Sequence, residues 1–179
     1  HINLKSIIPE GHGAAMNWTA LSEKNTSLQS AIRIMKSNSL TEILSAGAEH
    51  FAPAQNLLAI DKRGIALKTI GKIPKRSVNH ETYAQIPSKG WKIENRWIDF
   101  IPYQSNPEIK SPENGLLYNT NNRLVTKKFP DHISYDYGDT QRLLRLKKLL
   151  NNRSVHTLDS FIEYQQDIIS PTAQTILPI

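Results

Sequence analysis

Cysteine is absent from this sequence, and so are long apolar runs. Without thiols the chain cannot form disulfides, bind metal through thiolates or use a cysteine nucleophile. No segment approaches the roughly 18 consecutive apolar residues that a membrane span requires. The fold of this chain must therefore depend on ordinary hydrophobic packing.

Motifs for the common cofactors are also missing. The six histidines are scattered and show neither the H-x-x-x-H nor the H-E-x-x-H spacing of a metal site. No G-x-G-x-x-G, P-loop or G-x-S-x-G motif occurs, which argues against dinucleotide binding, nucleotide hydrolysis and an α/β-hydrolase nucleophile. We therefore expect that no cofactor is required.

Charge of neither sign dominates the composition. The 179 residues include 22 Lys and Arg against 16 Asp and Glu, a formal net charge of +6, which permits binding to nucleic acid without requiring it. Hydrophobic residues make up 39%, and ten Pro and eight Gly indicate a core built from several short elements. The length is typical of one domain.

Two helices are predicted in the first fifty residues. Ser39 followed by Glu42 forms a capping box, and apolar residues with helical spacing predict a helix near 40–49. A shorter helix that begins near Ser27 is predicted from four apolar residues at intervals of three to four, namely Leu28, Ala31, Ile32 and Met35.

Extended structure is predicted in the middle of the chain. Two apolar runs between Asn56 and Ile73 flank a turn that ends in Gly64, the pattern of a β-hairpin. Residues 73–114 are rich in Pro, Gly and Asn, and we expect a long ordered excursion pinned by four aromatic residues, Trp91, Trp97, Phe100 and Tyr103. Residues 115–118 predict a short strand.

The C-terminal part is predicted to be helical. A helix begins at a cap on Asp139 or Thr140, ends at Asn151-Asn152, and buries a face of five leucines, Leu143, Leu144, Leu146, Leu149 and Leu150. A last helix is capped by Thr157 and ends at Ser170-Pro171. The order of helices, hairpin, strand and helices favours an α+β fold.

The basic residues of the leucine-rich helix permit one interpretation that is not enzymatic. Between Arg142 and Arg153 the polar side carries Arg145, Lys147 and Lys148, which could bind phosphates or an anionic surface. No aromatic residue lies between these charges for base stacking, so the pattern is more typical of the solvated face of a packed helix.

An asparagine cluster follows the predicted strand, formed by Asn119, Asn121, Asn122 and Arg123. Side-chain amides in such a position usually satisfy the backbone of a turn. A fixed carboxamide N–H can also donate to the oxyanion that forms during acyl transfer. Both interpretations stay open on local sequence alone.

A series of short motifs resembles the penicillin amidase family in sequence and in order. The first are the run from Phe51 to Asp61, Gly64-Ile65, and Gly71-x-x-Pro-x-Arg76. The later ones are Gly90-Trp91, Trp97, Ile101-Pro102, Asn106-Pro107, Gly115, Asn119 to Arg123, Phe129-Pro130, Arg142 with its leucine-rich helix, Gln166-Asp167 and Leu177-Pro178. No single motif is specific, but the order matches from about Trp18 to Ile179.

This resemblance implies an N-terminal-nucleophile hydrolase, in which a self-cleaving precursor exposes a serine at the start of the β chain. Residues 1–179 would be a single partial domain, an internal part of that β chain and of an αββα sandwich. His1 is not a serine, and nothing before Trp18 resembles the nucleophile segment, so we expect the isolated chain to be inactive. The implied partners are the rest of the β chain, the α chain and a small amide substrate, without nucleic acid or membrane, in the periplasm.

The resemblance also gives roles to five residues. Asn121 matches the family's oxyanion asparagine, and Arg142 matches the arginine that positions the α-amine and this asparagine. Gln55 and Asn56 fall where the family lines part of the acyl pocket. Asp131 falls near a calcium-ligating aspartate of some members, although a lone aspartate is more typical of a helix or turn cap.

The resulting hypothesis is an amidohydrolase that cleaves the acyl side-chain amide of penicillin-like or N-acyl amine substrates through an acyl-Ser intermediate. The alternatives are an acyl homoserine lactone acylase of the same family, or the basic binding module described above. We expect Asn121 and Arg142 to lie together, because the leucine-rich helix should pack near the end of the strand that begins at Gly115.

Overall fold

The computed structural model describes residues 8–138 and 140–177, which form two compact units. The larger unit holds the described residues up to Leu117 together with Lys127–Tyr135, and the smaller unit holds Tyr118–Thr126 and the described residues from Asp136 onward. The larger unit contains α1 (Ser27–Lys36), α2 (Leu40–Gly47), β1 (Gln55–Asp61), β2 (Gly64–Ile70), β3 (Pro74–Arg76), β4 (Trp97–Phe100) and β5 (Glu108–Lys110). The smaller unit contains α3 (Gln141–Asn151), α4 (Leu158–Gln165) and α5 (Pro171–Ile176). This mixture confirms the α+β class.

The predicted hairpin forms the centre of the larger unit. β1 and β2 pair antiparallel along their whole lengths and join through the two-residue turn Lys62-Arg63. β5 pairs with the other side of β2, which gives the order β1-β2-β5. The central strand is buried from Ala66 to Ile70, whereas the edge strand β1 exposes Leu58 and Ile60. β3 and β4 form a separate two-stranded sheet.

The capping box predicted for α2 forms with one change of partner. The Ser39 hydroxyl accepts a hydrogen bond from the Glu42 N–H at 3.2 Å, as a helix N-cap should. The Glu42 carboxylate accepts from the N–H of Asn38 at 2.8 Å rather than from that of Ser39. The helix therefore begins where the sequence predicts.

Helix α1 confirms the second predicted helix but packs through its polar side. Ser30 is fully buried and donates to the carbonyl of Ala46 in α2 at 2.7 Å. Leu28 and Met35 of the predicted apolar face are 73% and 77% exposed. The amphipathic pattern thus predicted the helix correctly. The apolar face of the helix is exposed to solvent in this chain.

Aromatic residues pin the irregular excursion, as predicted for three of the four. The Phe100 ring contacts the Phe51 ring edge-on at 5.9 Å between centroids and lies 6.1 Å from the Trp97 ring. The Tyr103 hydroxyl donates to the carbonyl of Leu44 at 2.6 Å, and burial raises its pKa to about 12. Trp91 is 65% exposed, so its predicted role was wrong.

The strand predicted over residues 115–118 does not form. The Gly115 N–H donates to the Pro112 carbonyl at 2.8 Å, and Gly115 has a φ of +67°, which belongs to a turn. A strand also needs a neighbouring strand for its backbone hydrogen bonds. The apolar residues Leu116 and Leu117 favour burial, but they do not specify such a neighbour.

The last predicted helix divides in two. Thr157 caps α4 through a capping box with Ser160, but α4 ends at Gln165. Ser170 then accepts from the Ala173 N–H at 3.2 Å and begins α5, with Pro171 in the first turn. Ser-Pro was interpreted as a stop, yet serine is a favourable N-cap and proline fits the first helical position.

The leucine-rich helix α3 forms over the predicted residues, but of its five leucines only Leu150 is buried, and Leu144 is 54% exposed. Thr140 precedes it without a side-chain cap bond, and Asp139, the other predicted cap, lies outside the described residues. Across the described part of the chain, every helix is too short or too polar to cross a membrane.

The Asp61 carboxylate joins the hairpin turn to helix α2. One oxygen accepts from the Leu40 N–H at 2.9 Å, and the other accepts from the N–H groups of Arg63 at 2.7 Å and Gly64 at 3.2 Å. These hydrogen bonds, that from Leu40 first, lower the pKa of Asp61 to about 2. The charged form therefore stabilises the connection between the two elements.

Asp61→Asn is expected to destabilise the chain at neutral pH, because the amide carries no charge for these three donors. The wild-type pKa of about 2 lies below the ordinary 3.8, so Asp61 adds stability above pH 3.8 and loses that contribution as the pH falls toward 2. Urea unfolding followed by circular dichroism should show that the difference in the free energy of unfolding between wild type and variant becomes smaller as the pH falls toward 2. Asp131→Asn serves as the control, and a difference that is independent of pH would contradict the assignment.

Candidate active site

Two asparagines build the loop that precedes α3 in the smaller unit. The Asn119 side-chain oxygen accepts from the Asn121 N–H at 3.1 Å. Asn122 is buried, accepts from the Thr120 N–H at 3.0 Å and hydroxyl at 3.2 Å, and donates to the Arg123 carbonyl at 3.2 Å. These two amides satisfy the backbone of the turn, which is the structural role that such clusters usually have.

Asn121 has a different environment. Its φ of +63° lies in the left-handed region, which asparagine tolerates better than most residues. The Gly138 N–H donates to the Asn121 carbonyl at 3.0 Å, so the backbone is held on both sides. The Asn121 side chain is therefore not needed to form the loop.

Helix α3 brings Arg142 to this loop at its second residue. The guanidinium Nη2 donates to the Thr120 carbonyl at 2.6 Å and to the Asn121 Oδ1 at 2.8 Å. Within residues 8–138 and 140–177, the Asn121 Nδ2 has no hydrogen-bond acceptor of its own. The structure thus places together the two residues expected to lie side by side, although the strand invoked for that expectation is absent.

A groove of about 510 Å³ lies beside this pair in the smaller unit. Its apolar wall comes from α3, from the segment between α4 and α5, and from the start of α5, and includes Leu146, Leu149, Ile168, Ile169 and Pro171. Its polar lining includes Arg142, Arg145 and Asp167. Sequence reasoning did not predict that Arg145 pairs with Asp167, because nothing in local spacing connects residues 22 positions apart.

The basic side chains of the C-terminal helices bind partners within the smaller unit. Arg145 pairs with Asp167, Arg153 pairs with Glu163 at 2.5 Å, and the Lys147 ammonium lies 5.6 Å from the centre of the Tyr118 ring. Groups paired in this way have less charge to offer to phosphates. This observation counts against the basic binding module.

Gln55 and Asn56, the predicted substrate-binding residues, lie at the start of β1 in the larger unit. The Asn56 Oδ1 accepts from the Thr69 hydroxyl at 2.9 Å, and the Gln55 Nε2 lies 3.4 Å from the His50 Nε2. The first contact joins Asn56 to β2, and the second joins Gln55 to the segment between α2 and β1. Their role toward a substrate stays a prediction.

Asp131 lies in the larger unit and is half-buried. Calcium takes six to eight oxygen ligands in proteins. The described part of the chain contains no group of three or more His, Cys, Asp or Glu placed to hold a metal ion. The calcium role of Asp131 stays a prediction.

Comparisons with known proteins agree on one family. The model of the penicillin amidase family matches residues 4–179. Acyl-homoserine lactone acylase QuiP of Pseudomonas syringae pv. syringae is 24% identical over 163 residues, 90% of this chain and 19% of that protein. Penicillin G acylase of Escherichia coli is 27% identical over 92 residues, 50% of this chain and 10% of that protein.

A solved structure shows the same fold. The thermostable penicillin G acylase from Alcaligenes faecalis superposes with a TM-score of 0.66 at 20% sequence identity. The match covers 79% of this chain and 25% of the acylase chain. The chain therefore spans only a fifth or less of the curated relatives, at 19% and 10%, and a quarter of this structure.

Asn122→Ala is expected to lower the free energy of unfolding of this chain by about 1–3 kcal/mol, because the half-buried Thr120 N–H and hydroxyl lose their acceptor. Urea unfolding measures the change. Asn151→Ala, at an exposed position at the end of α3, is the control and should change the stability by less than about 0.5 kcal/mol. Equal effects of the two substitutions would show that the Asn122 amide does not hold the loop.

Proposed function

The chain belongs to the penicillin amidase family, and we propose that it supplies the oxyanion-stabilising part of an amidohydrolase active site. The relatives named above are a penicillin G acylase and an acyl-homoserine lactone acylase. The proposed substrate class is the acyl side-chain amide of penicillin-like or N-acyl amine compounds. Acyl homoserine lactones are the alternative within the family, supported by the match to QuiP over most of this chain.

The hydrogen bond from Arg142 to the Asn121 Oδ1 is the observation that supports this role. A guanidinium has donors and no acceptor, so it can bind only the oxygen of the amide. Rotation of the amide by half a turn would place its NH₂ group against the guanidinium and lose the bond. Arg142 therefore fixes the Asn121 amide with its oxygen toward the guanidinium and its N–H groups directed away from it.

A donor fixed in this way suits acyl transfer. When a nucleophile attacks an amide carbonyl, the carbonyl oxygen gains negative charge and requires N–H donors at about 2.7–3.1 Å. A donor that is already oriented pays no cost of reorganisation during the reaction. The positive charge of Arg142 lies behind the amide and adds to the stabilisation of an anion.

The nucleophile would come from the rest of the longer protein. Neither Asn121 nor Arg142 is a nucleophile, and the resemblance implies an N-terminal serine whose own α-amine acts as the base. Attack by that serine forms the acyl-Ser intermediate and releases the amine, and water then releases the acid. Gln55 and Asn56 are proposed to line part of the acyl pocket.

Exposed apolar surface supports the proposal that the remainder of the β chain and the α chain cover this segment. Helix α1 exposes Leu28, Ile32 and Met35, and the edge strand β1 exposes Leu58 and Ile60. Among the described residues, β1 lies at the edge of its sheet, a position where a strand of another segment can add. Such continuous apolar faces are typical of surfaces that pack against other segments.

Asn121→Ala in the full-length enzyme is expected to lower kcat by about 10²–10³, because it removes a donor used mainly in the transition state. KM should change little. The fold should stay in place because the loop is built by other side chains, although the unfolding temperature should fall modestly, since alanine tolerates the left-handed φ of +63° less well than asparagine. Hydrolysis of phenylacetyl and long-chain acyl anilides measures the effect on both candidate acyl groups. Arg142→Leu should also impair turnover or maturation.

The isolated chain is the zero-activity control for this assay, since it lacks the proposed nucleophile. A kcat unchanged in Asn121→Ala, or hydrolysis of either anilide by the purified isolated chain, would overturn the proposed function.

The open face of α1 is expected to make the isolated chain self-associate and bind apolar dyes. Light scattering after size exclusion measures the association, and dye fluorescence measures the open surface. Leu28→Glu combined with Met35→Glu should reduce both signals while circular dichroism stays unchanged, because these side chains make few contacts with the core. A strictly monomeric chain without dye binding would argue for a self-contained domain.

A further inference from the structure

Two arginines and one carboxylate share the groove beside the Asn121 loop. Arg142 and Arg145 lie one helical turn apart on α3, and Asp167 is the one acidic side chain among the described residues that line the groove. Residues three apart on a helix lie on the same face. If Asp167 pairs with one of these arginines, the other arginine must find different hydrogen-bond acceptors.

Asp167 pairs with Arg145 through two hydrogen bonds. The Arg145 Nε donates to Oδ1 at 3.1 Å, and Nη2 donates to Oδ2. The Asp167 Oδ1 also accepts from the Ile169 N–H at 3.2 Å. The two side chains are 18% and 13% exposed, whereas those of the neighbouring pair Arg153–Glu163 are 44% and 64% exposed. This bidentate, enclosed geometry occupies both oxygens of the carboxylate.

Arg142 is then left with neutral acceptors, the Thr120 carbonyl and the Asn121 Oδ1. A hydrogen bond from a guanidinium to a carboxylate is stronger than one to an amide oxygen. If Arg145 did not hold Asp167, the carboxylate would compete with Asn121 for Arg142.

We propose that Arg145 is a positioning residue: by occupying both oxygens of Asp167, it keeps Arg142 on the Asn121 amide. This inference rests on the proposed oxyanion role of Asn121. The two partners of this ion pair should therefore respond differently to substitution. Loss of Arg145 frees Asp167 to compete for Arg142, whereas loss of Asp167 removes the competing carboxylate.

The test measures kcat and KM of the full-length enzyme for an acyl anilide in a set of variants. Arg145→Met should lower kcat about tenfold or more with little change in KM, because Asp167 then draws Arg142 from Asn121. Asp167→Asn should stay within about threefold of wild-type kcat, and the double variant should recover most of the loss seen in Arg145→Met. Arg145→Lys should recover part of it.

Arg153→Met and Glu163→Gln break the matched exposed pair between α4 and the segment that follows α3, and they should leave kcat unchanged. Equal losses in Arg145→Met and Asp167→Asn, or a double variant as impaired as Arg145→Met, would overturn the positioning role, since a merely structural ion pair behaves in this way. Asn121→Ala is measured in parallel. If Asn121→Ala retains full kcat the proposed function fails, whereas a normal Asn121 effect without the asymmetry refutes only the role of Arg145.

Discussion

The candidate site depends on one guanidinium. Arg142 joins α3 to the preceding loop by donating to the Thr120 carbonyl and to the Asn121 side chain, and these bonds fix both the position and the rotation of the Asn121 amide. The loop does not need the Asn121 amide for its own hydrogen bonds, because Asn119 and Asn122 already bind the backbone of the loop. In the larger unit the Asp61 carboxylate has a comparable part, since it joins a turn to a helix N-terminus. In both units a charged side chain binds backbone or amide groups of another element. Such hydrogen bonds are stronger than those between two neutral groups.

Local sequence patterns predicted the elements that local forces determine. The hairpin, the Ser39 cap and the leucine-rich helix follow from alternation, capping and helical spacing, and each forms at the expected place. The predicted strand at 115–118 failed because a strand needs a partner elsewhere in the chain, which no local pattern specifies. The open face of α1 has a similar origin, since periodicity shows that a helix has an apolar face but does not show what covers it. Ser170-Pro171 was ambiguous because the same dipeptide ends one helix and begins the next.

The candidate site was predictable only in part. Spacing alone left the asparagine cluster between a turn and an oxyanion donor. The structure shows that Asn119 and Asn122 form the turn while Asn121 binds Arg142, and the oxyanion role of Asn121 is our proposal. The pairing of Asn121 with Arg142 was expected from family resemblance rather than from periodicity. Asp167, which pairs with Arg145, lies in the break between α4 and α5. The sequence pattern did not predict this break, so it could not predict the ion pair.

The most direct measurement is the affinity of the full-length enzyme for an arylalkyl boronic acid, whose tetrahedral adduct with a serine oxygen imitates the oxyanion intermediate. If Arg142 holds the Asn121 amide toward that oxyanion, Asn121→Ala should weaken boronate binding by about 10²–10³ while the KM for the amide substrate changes little. Undiminished boronate affinity in the variant, or equal weakening of boronate and substrate, would contradict the account.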